Sequence, residues 1–189
     1  ICYQRPRVIK VSHPYIKIAR GGKVKVACIR CGRCCHGPNV SLTAFDVCRI
    51  ARFMGLHWRD LRGRYVKAII ADMIAIPVLQ SVNGICVFLE VNERPTCTVY
   101  PARPMKCRLY PFLPCSPSQV DVIYLDECCK GIGTGELAEP PWNLLEQYCS
   151  ELRIHYIRLY QLVFEKGYEP LQALERLIDD AYMEVSTSP

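Results

Sequence analysis

The sequence predicts an α+β fold built from short antiparallel strands, a loop-rich and cysteine-rich centre and a C-terminal helical hairpin. Three observations carry that expectation. Thirteen of the 189 residues are cysteine, and most fall between residues 28 and 129. The same stretch holds short alternating runs punctuated by glycine and proline, the pattern of brief strands and turns. After Pro141 the pattern changes to apolar residues three and four apart, the mark of amphipathic helices.

Taken in order, residues 7–27 (RVIKVSHPYIKIARGGKVKVA) alternate apolar and polar around Gly21-Gly22, which predicts a β-hairpin. This hairpin is expected to form an extension over residues 1–27. In SLTAFDVCRIARFMGL, Ala44, Phe45, Val47, Cys48, Ile50, Ala51 and Met54 share a helical face, with Thr43 and Asp46 at its start and Gly55 at its end. A second helix is expected over HWRDLRGRYVKAI. Strands are expected over Met73 to Leu79 and Gly84 to Glu90, joined at Asn83-Gly84. Residues 92–119 contain six prolines and read as an irregular loop, which needs something other than backbone pairing to hold it. Val120 to Asp126 reads as a strand. Pro140 and Pro141 suit the first turn of a helix whose broad face holds Trp142, Leu145, Tyr148, Leu152, His155, Tyr156, Leu159, Leu162 and Val163. Gly167 ends it, and Pro170 begins a last helix striped by Leu171, Leu174, Leu177, Ile178 and Ala181. The boundaries are therefore 28–135 for the cysteine-rich domain and 140–185 for the helical hairpin.

Composition narrows the function classes. Half the residues are apolar and 22% are charged, as in an ordered globular chain. The longest apolar run, Ala68 to Leu79, is broken by Asp72 and Pro77 and is shorter than the roughly 20 residues of a membrane span, so no membrane is expected. The chain starts at Ile1 without a basic-then-apolar leader, and no signal peptide is expected. Formal charge is +6, with basic stretches RPRVIK and ARGGKVKV, but thiolate ligands would cancel much of it. Nucleic acid is therefore a weakly motivated partner. Motifs for nucleotide binding and hydrolysis are absent: there is no Walker loop and no Gly-x-Ser-x-Gly, and GIGTGE follows two cysteines rather than opening a helix.

The cysteines point to metal. CIRCGRCC places Cys28, Cys31 and Cys34 two residues apart at each step, and a Cys-x-x-Cys turn lets two sulfurs meet at one ion. Neighbouring side chains diverge, so Cys34 and Cys35 suit separate centres or separate metals of one cluster. A chain of this length has a core of its own and does not need disulfides to fold, and an odd count leaves at least one thiol unpaired. Arg30, Arg33, Arg103 and Arg108 flank the thiols and offset their charge. His36 is expected beside the site or in solvent. Metal-bound thiolates require reduced cysteines, so a cytoplasmic location is expected. Cys2, Cys115, Cys128 and Cys149 are the candidates for any disulfide.

CIRCGRCC, GICVFLE, CTVYPARPMKCRLYPF and CCKGIGTGE, in that order, resemble the YkgJ-like CxxCxxCC cysteine-cluster family, a zinc- or iron-chelating domain. The resemblance covers roughly residues 28–135. It implies eight metal ligands at Cys28, Cys31, Cys34, Cys35, Cys86, Cys97, Cys107 and Cys129, with Cys128 competing for the last place. Cys2, Cys48, Cys115 and Cys149 lie outside the pattern, and Cys48 and Cys149 are expected to be ordinary buried thiols. The cofactor it implies is an iron-sulfur cluster (4Fe-4S) or zinc. The three-cysteine run favours iron-sulfur, although the usual Cys-Pro continuation is missing. The expected role is an accessory or redox subunit meeting a protein partner through its C-terminal helices. The alternatives are a methyltransferase-associated enzyme domain, similar to the cysteine domain of lysine N-methylases, and an RNA- or ribonucleoprotein-binding module.

Overall fold

The computed structural model describes residues 15–37, 40–116 and 119–186. Strands β1 (Tyr15–Ala19) and β2 (Val24–Val26) lie on either side of a turn at Gly21. Helix α1 (Ala44–Phe53) begins with a capping box: the Thr43 hydroxyl accepts the Asp46 N–H, and the Asp46 carboxylate accepts the Thr43 N–H. Gly55, at φ 66°, closes it.

The helix expected over HWRDLRGRYVKAI is replaced by a 3-10 turn at Trp58–Leu61 and strand β3 (Val66–Ala71). Gly63 at φ 72° stops helical propagation, and the β-branched run that follows pairs with β4 (Ile74–Leu79) through a turn at Asp72-Met73. Both turn residues have positive φ, which matches strand twist in a two-residue hairpin. Asn83-Gly84 is also a hairpin turn, but it joins β5 (Ser81–Val82) to β6 (Ile85–Cys86) rather than two long strands. Strands β7 (Leu89–Glu90) and β8 (Thr96–Cys97) form another small pair.

The proline-rich stretch is more ordered than its composition suggests. It contains a 3-10 turn at Tyr100–Ala102, helix α2 (Met105–Leu109) and strand β9 (Phe112–Ser116). Its prolines sit where no N–H is required: Pro104 caps α2, and Pro114 lies on an edge strand. Strands β10 (Gln119–Asp126) and β11 (Ile132–Ala138) follow. Helix α3 (Trp142–Tyr160) runs on through a π-turn at Gln161–Glu165, and α4 (Pro170–Ser186) completes the helix pair after Gly167 at φ 71°.

The two strands expected to form a hairpin before residue 28 do not pair with each other. β1 lies antiparallel to β10, from Tyr15 opposite Asp126 to Ala19 opposite Val122, in a sheet ordered β1-β10-β9. β2 instead pairs with β11, placing Val26 opposite Ile132. β10, with eight residues, offers β1 a longer partner than the three residues of β2 could. Residues 7–14 of the expected hairpin lie outside the described residues.

Two apolar clusters hold these elements. The larger joins α1, α4, the end of α3 and β4 to Phe88 and Val99. The second joins Met105 and Leu109 of α2, Ile123 of β10 and the first half of α3. Helix α3 contributes to both, so the helix pair shares its core with the cysteine-bearing segments. The α4 stripe is buried at Leu174, Leu177, Ile178 and Ala181, with Leu171 exposed.

Candidate metal centre

Each short element delivers a cysteine to one place. β2 leads into Cys28, and a 3-10 turn at Arg33–Cys35 carries Cys34 and Cys35. Gly32, at φ 69°, turns the chain there, and a Cβ on it would stand 2.9 Å from the Pro95 side chain. Cys86 ends β6, Cys97 ends β8, Cys107 lies in α2, and Cys129 follows β10. All eight cysteines expected as ligands line a single cavity of about 520 Å³. Cys28, Cys31 and Cys34 are on its exposed side, and the other five are partly buried. Among the described residues no three His, Cys, Asp or Glu side chains converge closely enough to hold one ion, so the eight share a cavity rather than a point.

Electrostatic neighbours divide the eight. Burial pushes Cys129 up, and Cys31, Cys34 and Cys28 add to the rise. Burial likewise raises Cys107, with Cys34, Cys86 and Cys97 among its neighbours. Cys35 is raised by its hydrogen bond to Cys34, then by burial, then by Cys34, Cys86 and Cys97. Cys34 alone is pulled down, to about 6: the Cys35 thiol donates to it, and Arg103 and His36 add positive charge against the opposing effect of burial. Cys34 thus acts on thiols of both sets, Cys129 in one and Cys86, Cys97 and Cys107 in the other, while Cys35 is raised by Cys86 and Cys97.

Two features missed in the sequence set this geometry. Gly131 brings the last cysteine in: its carbonyl accepts the Ala27 N–H, and its own N–H points at the Cys129 sulfur, 3.4 Å away. A Cβ on Gly131 would lie 2.1 Å from the Ala27 carbonyl oxygen, so only glycine permits the approach that sets Cys129 near Cys28. The Cys-x-Gly spacing held that signal. The second feature is Asp46. Beyond capping α1, its carboxylate accepts the Met105 N–H at 2.9 Å and pairs with Arg49, which also binds Glu151. A buried side chain of α1 therefore anchors the start of α2 and, two residues on, Cys107.

The flanking groups fall as follows. His36 is exposed, and its Nδ1–H donates to the Gly32 carbonyl, leaving it beside the thiols. Arg103 lies over the Tyr100 ring at 3.7 Å. Cys48 and Cys149 are buried free thiols, and Cys48 points at the Ile178 carbonyl. Cys128 is disulfide-bonded, which leaves Cys129 as the free thiol of the adjacent pair. Cys2 lies outside the described residues.

A thiol-lined cavity assembled by short loops on a helical core is the architecture of a cysteine-cluster metal-binding protein. The chain belongs to the CxxCxxCC family, described as "Putative zinc- or iron-chelating domain", whose pattern matches residues 27–150. The match runs past the expected boundary near 135 into the first half of α3. An uncharacterized protein of Methanocaldococcus jannaschii, MJ0661, is 28% identical over 165 residues, covering 82% of this chain and 81% of its own. No solved structure matches. Among the described residues no helix is long and apolar enough to cross a membrane.

Proposed function

We propose that the chain holds two tetrathiolate metal centres. Cys28, Cys31, Cys34 and Cys129 form the outer one, and Cys35, Cys86, Cys97 and Cys107 form the inner one. The observation that supports this is the shared cavity of eight thiols, in which Cys28 and Cys31 act on Cys129 while Cys86 and Cys97 act on Cys35 and Cys107. Four sulfurs per centre suit either a tetrahedral zinc or a [4Fe–4S] cluster. The three-cysteine run favours iron-sulfur. The inner centre staples the β5–β8 loops to α2, which is the structural work metals do in small domains. The outer centre has three exposed cysteines and is the one able to exchange electrons with a partner, as an accessory or redox subunit. An apolar row on α3 and beyond, Ile157, Tyr160, Phe164 and Tyr168, supports a protein partner on the helix pair. In this reading residues 28–135 are the metal-binding body, 140–185 the bracket behind it, and the thiolate ligands favour the cytoplasm, of a kind that tolerates the Cys128 disulfide as intracellular proteins of hyperthermophiles do.

Anaerobic purification followed by metal and sulfide analysis with an absorption spectrum tests the reading. Two iron-sulfur centres would show about eight irons with matching sulfide and a colour that bleaches on reduction. Two zincs and no colour would identify zinc. Cys129→Ser and Cys97→Ser should each remove about half the metal. Metal-free protein would end the proposal, and complete loss from either single variant would replace two centres by one shared cluster.

A further inference from the structure

The charged side chains in the wall of the cysteine cavity are all basic. Among the described residues it carries Arg30, Arg33, Arg103, Lys106, Arg108 and Lys130, and no aspartate or glutamate. On the two-centre reading each set of four thiolates around a divalent ion carries a charge of about −2, and no acidic side chain of the wall shares the basic groups with them. A wall of this kind can also take up a small anion.

Its position is marked by one ring. Tyr100 has Arg103 at 3.7 Å from its centroid and Arg30 at 5.2 Å. Arg30 reaches it from a backbone at φ 53°, a conformation costly for a residue with a Cβ. Arg103 uses Nε to donate to the Tyr100 carbonyl at 3.1 Å. Neither guanidinium has a carboxylate partner among the described residues, and Arg30 is exposed beside Cys28 and Cys31. Two like charges on one ring repel, and the ring's attraction, roughly 0.5–2 kcal/mol each, does not remove that repulsion. A shared oxyanion does, because guanidinium forks match the oxygens of phosphate and carboxylate.

We propose that Arg30 and Arg103, gathered on Tyr100 at the mouth of the cavity, bind a small dianionic ligand of the phosphate or carboxylate class next to the outer centre. This places an anionic ligand within reach of the exposed thiolates. Charge compensation of the thiolates alone is the rival account, and Arg103 does favour ionised Cys34 and Cys97. Arg30 stands exposed at the mouth of the cavity and is therefore the residue to change.

The test is calorimetric titration of the full chain, purified anaerobically in phosphate-free buffer, with inorganic phosphate and separately with malonate. Metal is measured on the same samples. Saturable binding of at least one dianion is expected, weakened at least about tenfold by Arg30→Gln, with metal content unchanged. Binding of phosphate alone or malonate alone assigns the class. No saturable heat from either, affinity unaltered in Arg30→Gln, or loss of metal from that variant overturns the proposal. Metal-free wild type would end the two-centre reading, while arginine-dependent binding would still be read on its own.

Discussion

Cys128 and Cys129 are adjacent but chemically separated. The first is held in a disulfide, and the second is a free thiol whose sulfur faces the Gly131 N–H. Cys129→Ser should therefore lower the metal content by about half, whereas Cys128→Ser should leave it near wild type and lower only stability, by roughly 2–4 kcal/mol. Metal analysis beside a denaturant curve separates the two. Equal metal loss from both variants would show that Cys128 is also a ligand. Gly131 offers a sharper case, because its close approach to Ala27 leaves no room for a methyl group. Gly131→Ala must displace either β2 or the Cys129 turn. The expected result is loss of the outer centre and destabilisation of at least about 3 kcal/mol, read by metal analysis and thermal melting. Full metal occupancy in that variant would contradict the assigned role.

At the scale of elements, the long-range ties run through polar groups that no periodicity reveals. Asp46 looks in the sequence like a simple capping residue, and it is one, but it also binds the Met105 N–H 59 residues away. Asp46→Ala removes a cap and leaves buried donors unmet, so a loss of about 3 kcal/mol is expected, with metal held less tightly by Cys107's group. Chelator competition reads the second effect, which a purely structural cap would not produce. His155 is a parallel case: placed by the sequence on the broad face of α3, it is wholly buried and its Nδ1 accepts the Ala44 N–H at 3.1 Å. Burial pulls it down to about 4, only partly opposed by Asp46. Its folded value lies below the unfolded one, so the unfolded chain takes up the proton first as pH falls. Stability is thus complete above about pH 6.5 and declines toward pH 4, by about 2 kcal/mol at pH 5. Denaturant curves at pH 7 and pH 5 should show this difference in wild type and not in His155→Gln. The helices and their ends were legible because caps, glycines and apolar spacing are local signals. The cysteine set was legible because ligand chemistry demands particular residues at particular spacings. Strand partners were not, since β1 and β2 find theirs about 100 residues downstream. The HWRDLRGRYVKAI stretch was misread because Gly63 and the Asp72-Met73 turn outweigh a short helical pattern.

At the scale of the whole molecule, apolar burial and cysteine chemistry hold different parts of the chain. Ile50, Leu61, Leu159, Leu177 and Ala181 are almost fully excluded from water and knit α1, α3 and α4 together, and of the expected ligands only Cys86 and Cys97 pack against this core. The segments 28–36, 84–99 and 127–132 have few buried side chains of their own, and 84–99 is held only by two-residue strand pairs. Such pairs are not stable alone, so these segments depend on what joins their cysteines. Metal removal should therefore leave the helices folded while the cysteine loops open. Native-state hydrogen exchange with and without chelator measures this directly: protection in α1 and α4 should persist while amides near Cys35, Cys86 and Cys97 lose most of theirs. Uniform loss across the chain would make metal a condition of the whole fold, and unchanged exchange in the loops would mean that metal does not hold them. Between these outcomes lies the division expected here, a helical body stable on its own with loops that become ordered around their centres.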